Sequence, residues 1–241
     1  GAGDIGKINA APAGEPVKIG ETTFALIELA FEISEKSGGA FNPAAFPLTE
    51  LWHFSPSNYI GAAKSIPDAE DIAEALKISS VAMFSLDKTA LTVTKLVDGA
   101  ALDAGAIGKG FAADRLFEII GGRGIVDAGA TFRVSEPVKM YIQNPRGSDY
   151  VAEATVSNIA VATSGDYQRY YFVDGKRIHH ILAADGYPAG YFSEDPVVSV
   201  TVTGGSAAVC DALSTALMVT GYSPEAAELT AYYECQALLF T

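Results

Sequence analysis

"LDAGAIGKGFAADRL", residues 102–116, is the stretch at which the pattern of the chain changes. Its second part predicts a helix over residues 106–120, which ends at a pair of glycines. Beyond that helix the sequence turns to short apolar strands, whereas the segment before it mixes helices with a strand pair. This order favours an α+β fold with a mixed or antiparallel sheet core and flanking helices. We expect a single domain over residues 1–241.

The glycines of this stretch admit two interpretations. Gly105, Gly108 and Gly110 allow the backbone to approach a ligand closely, and the following helix offers N–H groups to an anion. The spacing matches neither the dinucleotide pattern GxGxxG nor the phosphate-loop pattern GxxxxGK[ST]. A tight turn that lets the helix pack closely also explains the glycines. Asp103 either caps the helix or binds a polar ligand.

Composition and charge exclude several classes of protein. A net charge of -13 disfavours a nucleic-acid partner, because such a protein needs a basic face. His53, His179 and His180 are the only histidines and no CxxC pair occurs, so we expect no zinc cluster. Cys210 and Cys235 fit two buried thiols or one disulfide. No apolar run reaches the length of a membrane span.

A second carboxylate stands on an apolar helix near the C-terminus, "SAAVCDALSTALMV", residues 206–219. Asp211 and Thr215 are four residues apart and therefore share one face of this helix. A buried aspartate needs a partner or a metal ion, and a carboxylate with a hydroxyl suits Mg²⁺ or Ca²⁺. The alternative is an aspartate bonded to backbone, with Thr215 bonding back to the preceding turn.

Three longer segments occur in a fixed order and resemble the ApbE family of FAD:protein FMN transferases. They are "LDAGAIGKGFAADRL", "TSGDYQRYYFVDGKRIHHI" at 163–181 and "VTGGSAAVCDALSTALMVTG" at 202–221. "GAFNPAAFPLTELWHF" at 39–54 and "DIGKIN" at 4–9 resemble the same family. The likeness spans nearly the whole chain. We expect the family's N-terminal strand to be missing from these residues.

The resemblance implies an enzyme that binds FAD and cleaves its pyrophosphate with the help of Mg²⁺ or Ca²⁺. FMN would pass to the threonine hydroxyl of a target protein, in a Ser/Asp-Gly-Ala-Thr context, and AMP would leave. Members of the family usually work outside the cytoplasmic membrane, often on a lipid anchor. The resemblance therefore predicts a periplasmic or cell-surface location.

The resemblance also implies roles for particular residues. Asp211 and Thr215 match the side-chain metal ligands, and Ala106 matches the residue whose backbone carbonyl binds the metal. Asp103 and Lys109 match contacts to FAD.

A three-residue loop and a histidine complete the implied site. Ala40, Phe41 and Asn42 match a loop that lies against the flavin nucleotide. His180 matches a histidine near the phosphates and, with Asp211, is the expected catalytic residue. Without the resemblance, a structural histidine explains this position equally well, since one member of the His179–His180 pair faces away from the other on a strand.

The chain departs from the family pattern at three places. Asn42 stands where the family has aspartate, "DAGATF" at 127–132 replaces Gly-Gly-Asn, and "HILAADG" at 180–186 lacks an Asp-Pro. Two alternatives to transfer therefore stay open: an FAD pyrophosphatase that gives FMN and AMP, and a non-catalytic FAD-binding protein. Gly129-Ala130-Thr131 is either an internal acceptor or the end of a strand.

Overall fold

The computed structural model describes residues 3–55 and 64–241. The chain forms two compact units, each built from two separated parts of the sequence. The first unit consists of Gly1–Ala104 and Arg169–Pro188, and the second of Gly105–Gln168 and Ala189–Thr241. The expected single domain over residues 1–241 stays a prediction.

Helices and strands alternate in groups along the chain. In chain order they are α1 (Asp4–Ala10), β1 (Pro16–Lys18), α2 (Glu21–Lys36), α3 (Phe46–Leu51), α4 (Ala69–Leu76), β2 (Phe84–Asp87), β3 (Thr92–Lys95), α5 (Gly108–Ile119), β4 (Ile125–Asp127), β5 (Thr131–Val134), β6 (Val138–Gln143), β7 (Tyr150–Val156), β8 (Ile159–Gly165), β9 (Tyr170–Val173), β10 (Lys176–His179), β11 (Ser199–Gly204), α6 (Ala207–Thr220), α7 (Pro224–Tyr232) and β12 (Gln236–Phe240). All strand pairs in these sheets are antiparallel. The α+β fold with an antiparallel sheet core is confirmed.

The first unit is built around helix α2 and a three-stranded sheet in the order β1-β3-β2. Phe24, Ile27 and Phe31 recur at helical spacing, and their side chains are buried in one apolar cluster with residues of the sheet. The helix ends at Lys36, and Gly38 and Gly39, which follow shortly after, have positive φ angles of 60° and 85°. Glycine adopts this left-handed backbone with little strain, so the pair stops the helix.

The rest of the first unit surrounds Trp52, which is fully buried after helix α3. Its indole Nε1–H donates a hydrogen bond of 2.7 Å to the carbonyl oxygen of Gly186. The hairpin of β9 and β10 contributes Tyr171, whose hydroxyl donates to the Trp52 carbonyl oxygen at 3.0 Å. Burial raises the pKa of Tyr171 to about 12, so this hydroxyl stays a donor at neutral pH.

The second unit is a five-stranded sheet in the order β12-β11-β8-β5-β4, with helices α5 and α6 against it. Helix α6 has eleven buried residues and lies on β8 and β11, which explains why its sequence is apolar almost all round. Strands β6 and β7 form a separate hairpin in the same unit.

Some boundaries differ from those expected. Helix α5 begins at Gly108 and not at residue 106, and helix α1 and strands β1 and β5 were not predicted. The apolar run at residues 160–173 is two strands, because the chain turns at Asp166.

Cys210 and Cys235 are both buried and both free thiols. A hydrogen bond between the two side chains raises the pKa of Cys210 and lowers the pKa of Cys235. Of the two interpretations, the structure therefore has the thiol pair. Across residues 3–55 and 64–241, no helix combines the length and the apolar character needed to span a membrane.

Candidate functional site

Gly110 brings helices α5 and α6 together at backbone distance. A Cβ atom at this position would lie 2.1 Å from the carbonyl oxygen of Ala207 and 2.7 Å from the Cα of Ala208. Both atoms belong to the backbone of the first turn of α6, so a side-chain movement cannot relieve the contact. The glycine is thus required for close packing of two helices, and its φ is not in the left-handed region.

Asp114 of α5 caps the N-terminus of α6. Its carboxylate accepts hydrogen bonds from the Ser206 hydroxyl at 2.7 Å, from the N–H of Ala207 at 2.9 Å and from the N–H of Ala208 at 3.0 Å. These N–H groups have no acceptor inside the helix, and the negative charge complements the positive end of the helix dipole. The cap fixes the start of α6, one turn before Asp211.

The carboxylate of Asp211 is almost completely buried, with 5% of its side chain exposed. Its Oδ2 accepts a hydrogen bond of 3.0 Å from the N–H of Gly110. Its Oδ1 accepts one of 3.3 Å from the hydroxyl of Thr131, which is itself fully buried at the start of β5. The hydrogen bonds from the Gly110 N–H and from the buried Thr131 hydroxyl hold this carboxylate in a fixed orientation.

A cation completes the surroundings of Asp211. The ammonium of Lys109 lies 3.1 Å from Oδ1 and 3.3 Å from Oδ2 of Asp211. The same ammonium donates to the carbonyl oxygen of Gly105 at 3.3 Å. Carboxylate and carbonyl oxygens therefore surround a positive charge here, in the turn that also contains the expected backbone ligand, Ala106.

Thr215 lies one turn after Asp211 on the same helix. Its hydroxyl is 3.3 Å from the hydroxyl of Ser164 and 3.5 Å from the carbonyl oxygen of Asp211. The bond back to the preceding turn is the one expected for a structural threonine. Ser164 also meets Ser214 at 2.7 Å, so a group of hydroxyls lies beside the main-chain carbonyl of Asp211.

In the first unit, Asn42 connects two segments through its side-chain amide. Its Nδ2 donates a hydrogen bond of 2.9 Å to the carbonyl oxygen of Ser79, and its Oδ1 accepts one of 2.9 Å from the N–H of Ala44. Asn42 also lines a cavity of about 500 Å³ in this unit. Other wall residues of the cavity are Glu35, Ser79, Ser80, Leu182, Ala183 and Ala184.

The loop "HILAADG" closes as a tight turn on one side of this cavity. The N–H of Ala183 donates to the carbonyl oxygen of Tyr187 at 2.8 Å, and the N–H of Gly186 donates to the carbonyl oxygen of Ala183 at 2.9 Å. Gly186 has a φ of +83°, and a Cβ atom there would lie 2.5 Å from the Ile72 side chain. The altered loop is therefore an ordered wall of the cavity.

The structure buries two of the remaining residues that the resemblance assigned to FAD in the first unit. Ala40 is 8% exposed and Phe41 only 1% exposed. The N–H of Asp103 donates to the carbonyl oxygen of Pro43 at 2.7 Å. The capping role considered for Asp103 is wrong, because α5 begins at Gly108 and has no side-chain cap.

His180 follows strand β10, whereas His179 is buried within it. The Nδ1 of His180 lies 3.1 Å from the carbonyl oxygen of Arg169. A carbonyl only accepts, so this bond requires a proton on Nδ1 and makes Nε2 the acceptor of the neutral ring. Phe54 packs edge-on against the ring with centroids 6.2 Å apart. The ring is held in one orientation in the first unit.

Sequence reasoning missed three residues that hold the Asp211 side chain or its helix. Asp114 and Thr131 were not candidates for this role, and Gly110 was considered only as part of a turn. A carboxylate in the middle of α5 and a serine just before α6 are ordinary residues in a sequence, and only their contact over 92 positions reveals the cap. No local signal marks it.

Comparisons with known proteins identify the family of the chain. A model of the ApbE family matches residues 2–239. A protein of Treponema pallidum named FAD:protein FMN transferase is 31% identical, over 97% of this chain and 69% of that protein. One of the same name from Klebsiella pneumoniae is 30% identical, over 97% of this chain and 73% of its own length.

Solved structures show the same fold. The ApbE protein of Thermotoga maritima superposes with a TM-score of 0.85 at 34% identity, over 98% of this chain and 77% of that one. The flavinyl transferase ApbE of Pseudomonas stutzeri, in its apo form, gives a TM-score of 0.81 at 28% identity, over 98% and 74% of the two chains.

Proposed function

This chain is a member of the ApbE family and a flavin transferase, and on that premise we propose that it transfers FMN from FAD to a threonine hydroxyl of a target protein. AMP is the leaving group of this reaction. The observation that carries the proposal is the buried Asp211 carboxylate, which is held in place by α5 and β5 and already binds a cation.

The donor set around Asp211 fits a divalent ion such as Mg²⁺. Carboxylate, hydroxyl and carbonyl oxygens are the ligands that Mg²⁺ and Ca²⁺ prefer. Among the described residues, no three His, Cys, Asp or Glu side chains cluster closely enough to hold a metal. Further ligands would therefore come from Thr215, from the backbone carbonyls at Gly105 and Ala106, from water and from phosphate. When bound, the ion supplies positive charge against the pyrophosphate.

The first unit supplies candidate groups for binding FAD. Its cavity of about 500 Å³ lies in the size range of small-molecule sites, and polar groups and backbone line it together with Asn42. We assign part of FAD to this cavity. His180 is oriented by the Arg169 carbonyl so that Nε2 can accept a proton, which suits the removal of a proton from an attacking hydroxyl.

The acceptor is proposed to be a threonine of another protein in a Ser/Asp-Gly-Ala-Thr context. Thr131 of this chain has the preceding Gly-Ala, but its side chain is fully buried and its hydroxyl donates to Asp211. A fully buried hydroxyl is out of reach of an external phosphate. Thr131 therefore acts on the orientation of Asp211, and the acceptor lies elsewhere.

The experiment that tests this function incubates the protein with FAD and Mg²⁺, with and without an acceptor peptide. We expect AMP release that depends on the peptide, together with a peptide mass increased by FMN. AMP and free FMN without peptide would mean a pyrophosphatase, and intact bound FAD would mean a flavin-binding protein. Asp211→Asn should abolish turnover. Glu153→Gln, which removes an exposed carboxylate of the same unit, is the matched control.

A further inference from the structure

Three contacts hold the Asp211 carboxylate, and they differ in how easily they can be broken. The N–H of Gly110 and the hydroxyl of Thr131 belong to a helix backbone and a buried strand. The third partner, Lys109, is a long side chain that is 44% exposed, whereas the carboxylate is 5% exposed. The lysine is therefore the partner that can leave while the carboxylate stays in place.

The ammonium of Lys109 lies among oxygen atoms, where a metal ion would also bind. It lies 3.1 and 3.3 Å from the two oxygens of Asp211 and 3.3 Å from the carbonyl oxygen of Gly105. A divalent ion that binds this carboxylate would meet the positive charge of Lys109 within a few ångströms and would need oxygens that the ammonium contacts. The ion and the ammonium therefore compete for Asp211.

The ammonium also compensates for burying the carboxylate. A buried carboxylate without a partner is strongly unfavourable. With Lys109 in place, Asp211 has a counter-charge when no divalent ion is bound.

We propose that Lys109 is a built-in competitor of the divalent ion, whose ammonium occupies the Asp211 site until the ion displaces it. This inference rests on the proposed metal role of Asp211. The competition with Lys109 sets the concentration of divalent ion at which the Asp211 site becomes occupied. Displacement also frees a flexible positive charge, which is then available to phosphate oxygens of the nucleotide.

The test measures Mn²⁺ binding in the absence of nucleotide. The electron paramagnetic resonance signal of the free ion reports how much Mn²⁺ remains unbound. Lys109→Met should bind Mn²⁺ about tenfold more tightly than the unmodified protein. Lys109→Arg keeps a cation and should remain close to the unmodified protein. Lys139→Met is the matched control, because it removes one charge of an exposed ion pair in the same unit and leaves Asp211 untouched. Its affinity should change by less than about twofold.

Thermal unfolding gives a second readout. Lys109→Met should unfold at a lower temperature without metal, and Mn²⁺ should raise its midpoint more than that of the unmodified protein. If the Lys109→Met variant does not fold, the Lys109→Gln variant is used in its place. Equal Mn²⁺ affinity in Lys109→Met and Lys139→Met would overturn the competition and leave the proposed function intact. Absence of Mn²⁺ binding in every variant would overturn both the competition and the metal role.

Discussion

The side-chain amide of Asn42 donates a hydrogen bond of 2.9 Å to the carbonyl oxygen of Ser79. The other end of the same amide accepts a hydrogen bond from the N–H of Ala44. Only an amide can make both bonds, because a carboxylate has no hydrogen to donate. The asparagine that replaces the family's aspartate thus joins the loop after α2 to the segment after α4, at the wall of the first unit's cavity.

Asn42→Asp should lower the free energy of unfolding by about 1–3 kcal/mol at pH 7, because a carboxylate would face the Ser79 carbonyl oxygen. Urea unfolding measures the change. Asn42→Ala removes both bonds without adding charge and should cost less than the aspartate. An aspartate variant as stable as the unmodified protein would show that the amide donor is dispensable.

Gly110→Ala should disrupt the contact of α5 with α6. A Cβ at this position would lie 2.1 Å from a backbone oxygen, so one of the helices must move. We expect a loss of more than about 3 kcal/mol in unfolding free energy. The movement would also displace the Gly110 N–H from Asp211, and Mn²⁺ binding should weaken in parallel.

The control for this substitution is Gly205→Ala. An added Cβ there has no atom within 4 Å, and the backbone φ is not in the left-handed region. Its stability should change by less than about 0.5 kcal/mol. Equal effects of the two substitutions would mean that the helices do not depend on the absence of a side chain at position 110.

Local periodicity was sufficient to predict much of the fold. Phe24, Ile27 and Phe31 have the apolar spacing of a helix and glycines follow, which is the local pattern of α2. Strand β5 was missed because it is only four residues long and has Arg133 at its centre. Such a strand is stabilised by its neighbours β4 and β8, which a local pattern does not contain.

The site was predictable only in part, for a related reason. Asp211 stood out because it is a charge on an apolar helix, and the glycine-rich turn stood out by composition. Their connection spans about a hundred residues: Gly110 and Lys109 meet Asp211 across the α5–α6 contact. The sequence around Gly110 and Lys109 does not indicate that they contact Asp211. The resemblance therefore assigned Lys109 only a contact to FAD.

Asp114→Ala should destabilise the second unit, because three hydrogen bonds at the N-terminus of α6 lose their acceptor. We expect a loss of about 1–2 kcal/mol, as for other helix caps, measured by urea unfolding. Glu118→Ala removes an exposed carboxylate of the same helix, paired with Arg115, and should change stability by less than about 0.5 kcal/mol. If Asp114→Ala behaves like Glu118→Ala, the cap does not stabilise α6.

Protonation of Asp4 at acid pH should lower the free energy of unfolding of the first unit. Its carboxylate accepts hydrogen bonds from the Lys7 ammonium at 2.8 Å and from the N–H of Gly20 at 3.0 Å. The bond from Lys7, followed by that from Gly20, lowers the pKa of Asp4 from 3.8 to about 2. A carboxyl group whose pKa is lower in the folded state than in the unfolded state stabilises the folded protein at pH values above its unfolded-state pKa. This stabilisation is lost as the pH falls through its folded-state pKa.

The stability difference between the unmodified protein and Asp4→Asn should therefore be constant above about pH 4. Between about pH 4 and pH 2 it should shrink, because the carboxylate becomes protonated and its bonds weaken. Urea midpoints measured across this range give the difference directly. Asp68→Asn is the control, since Asp68 is exposed and its side chain makes no cap bond to α4. A difference for Asp4→Asn that stays flat down to pH 2 would contradict the role of this carboxylate between α1 and the start of α2.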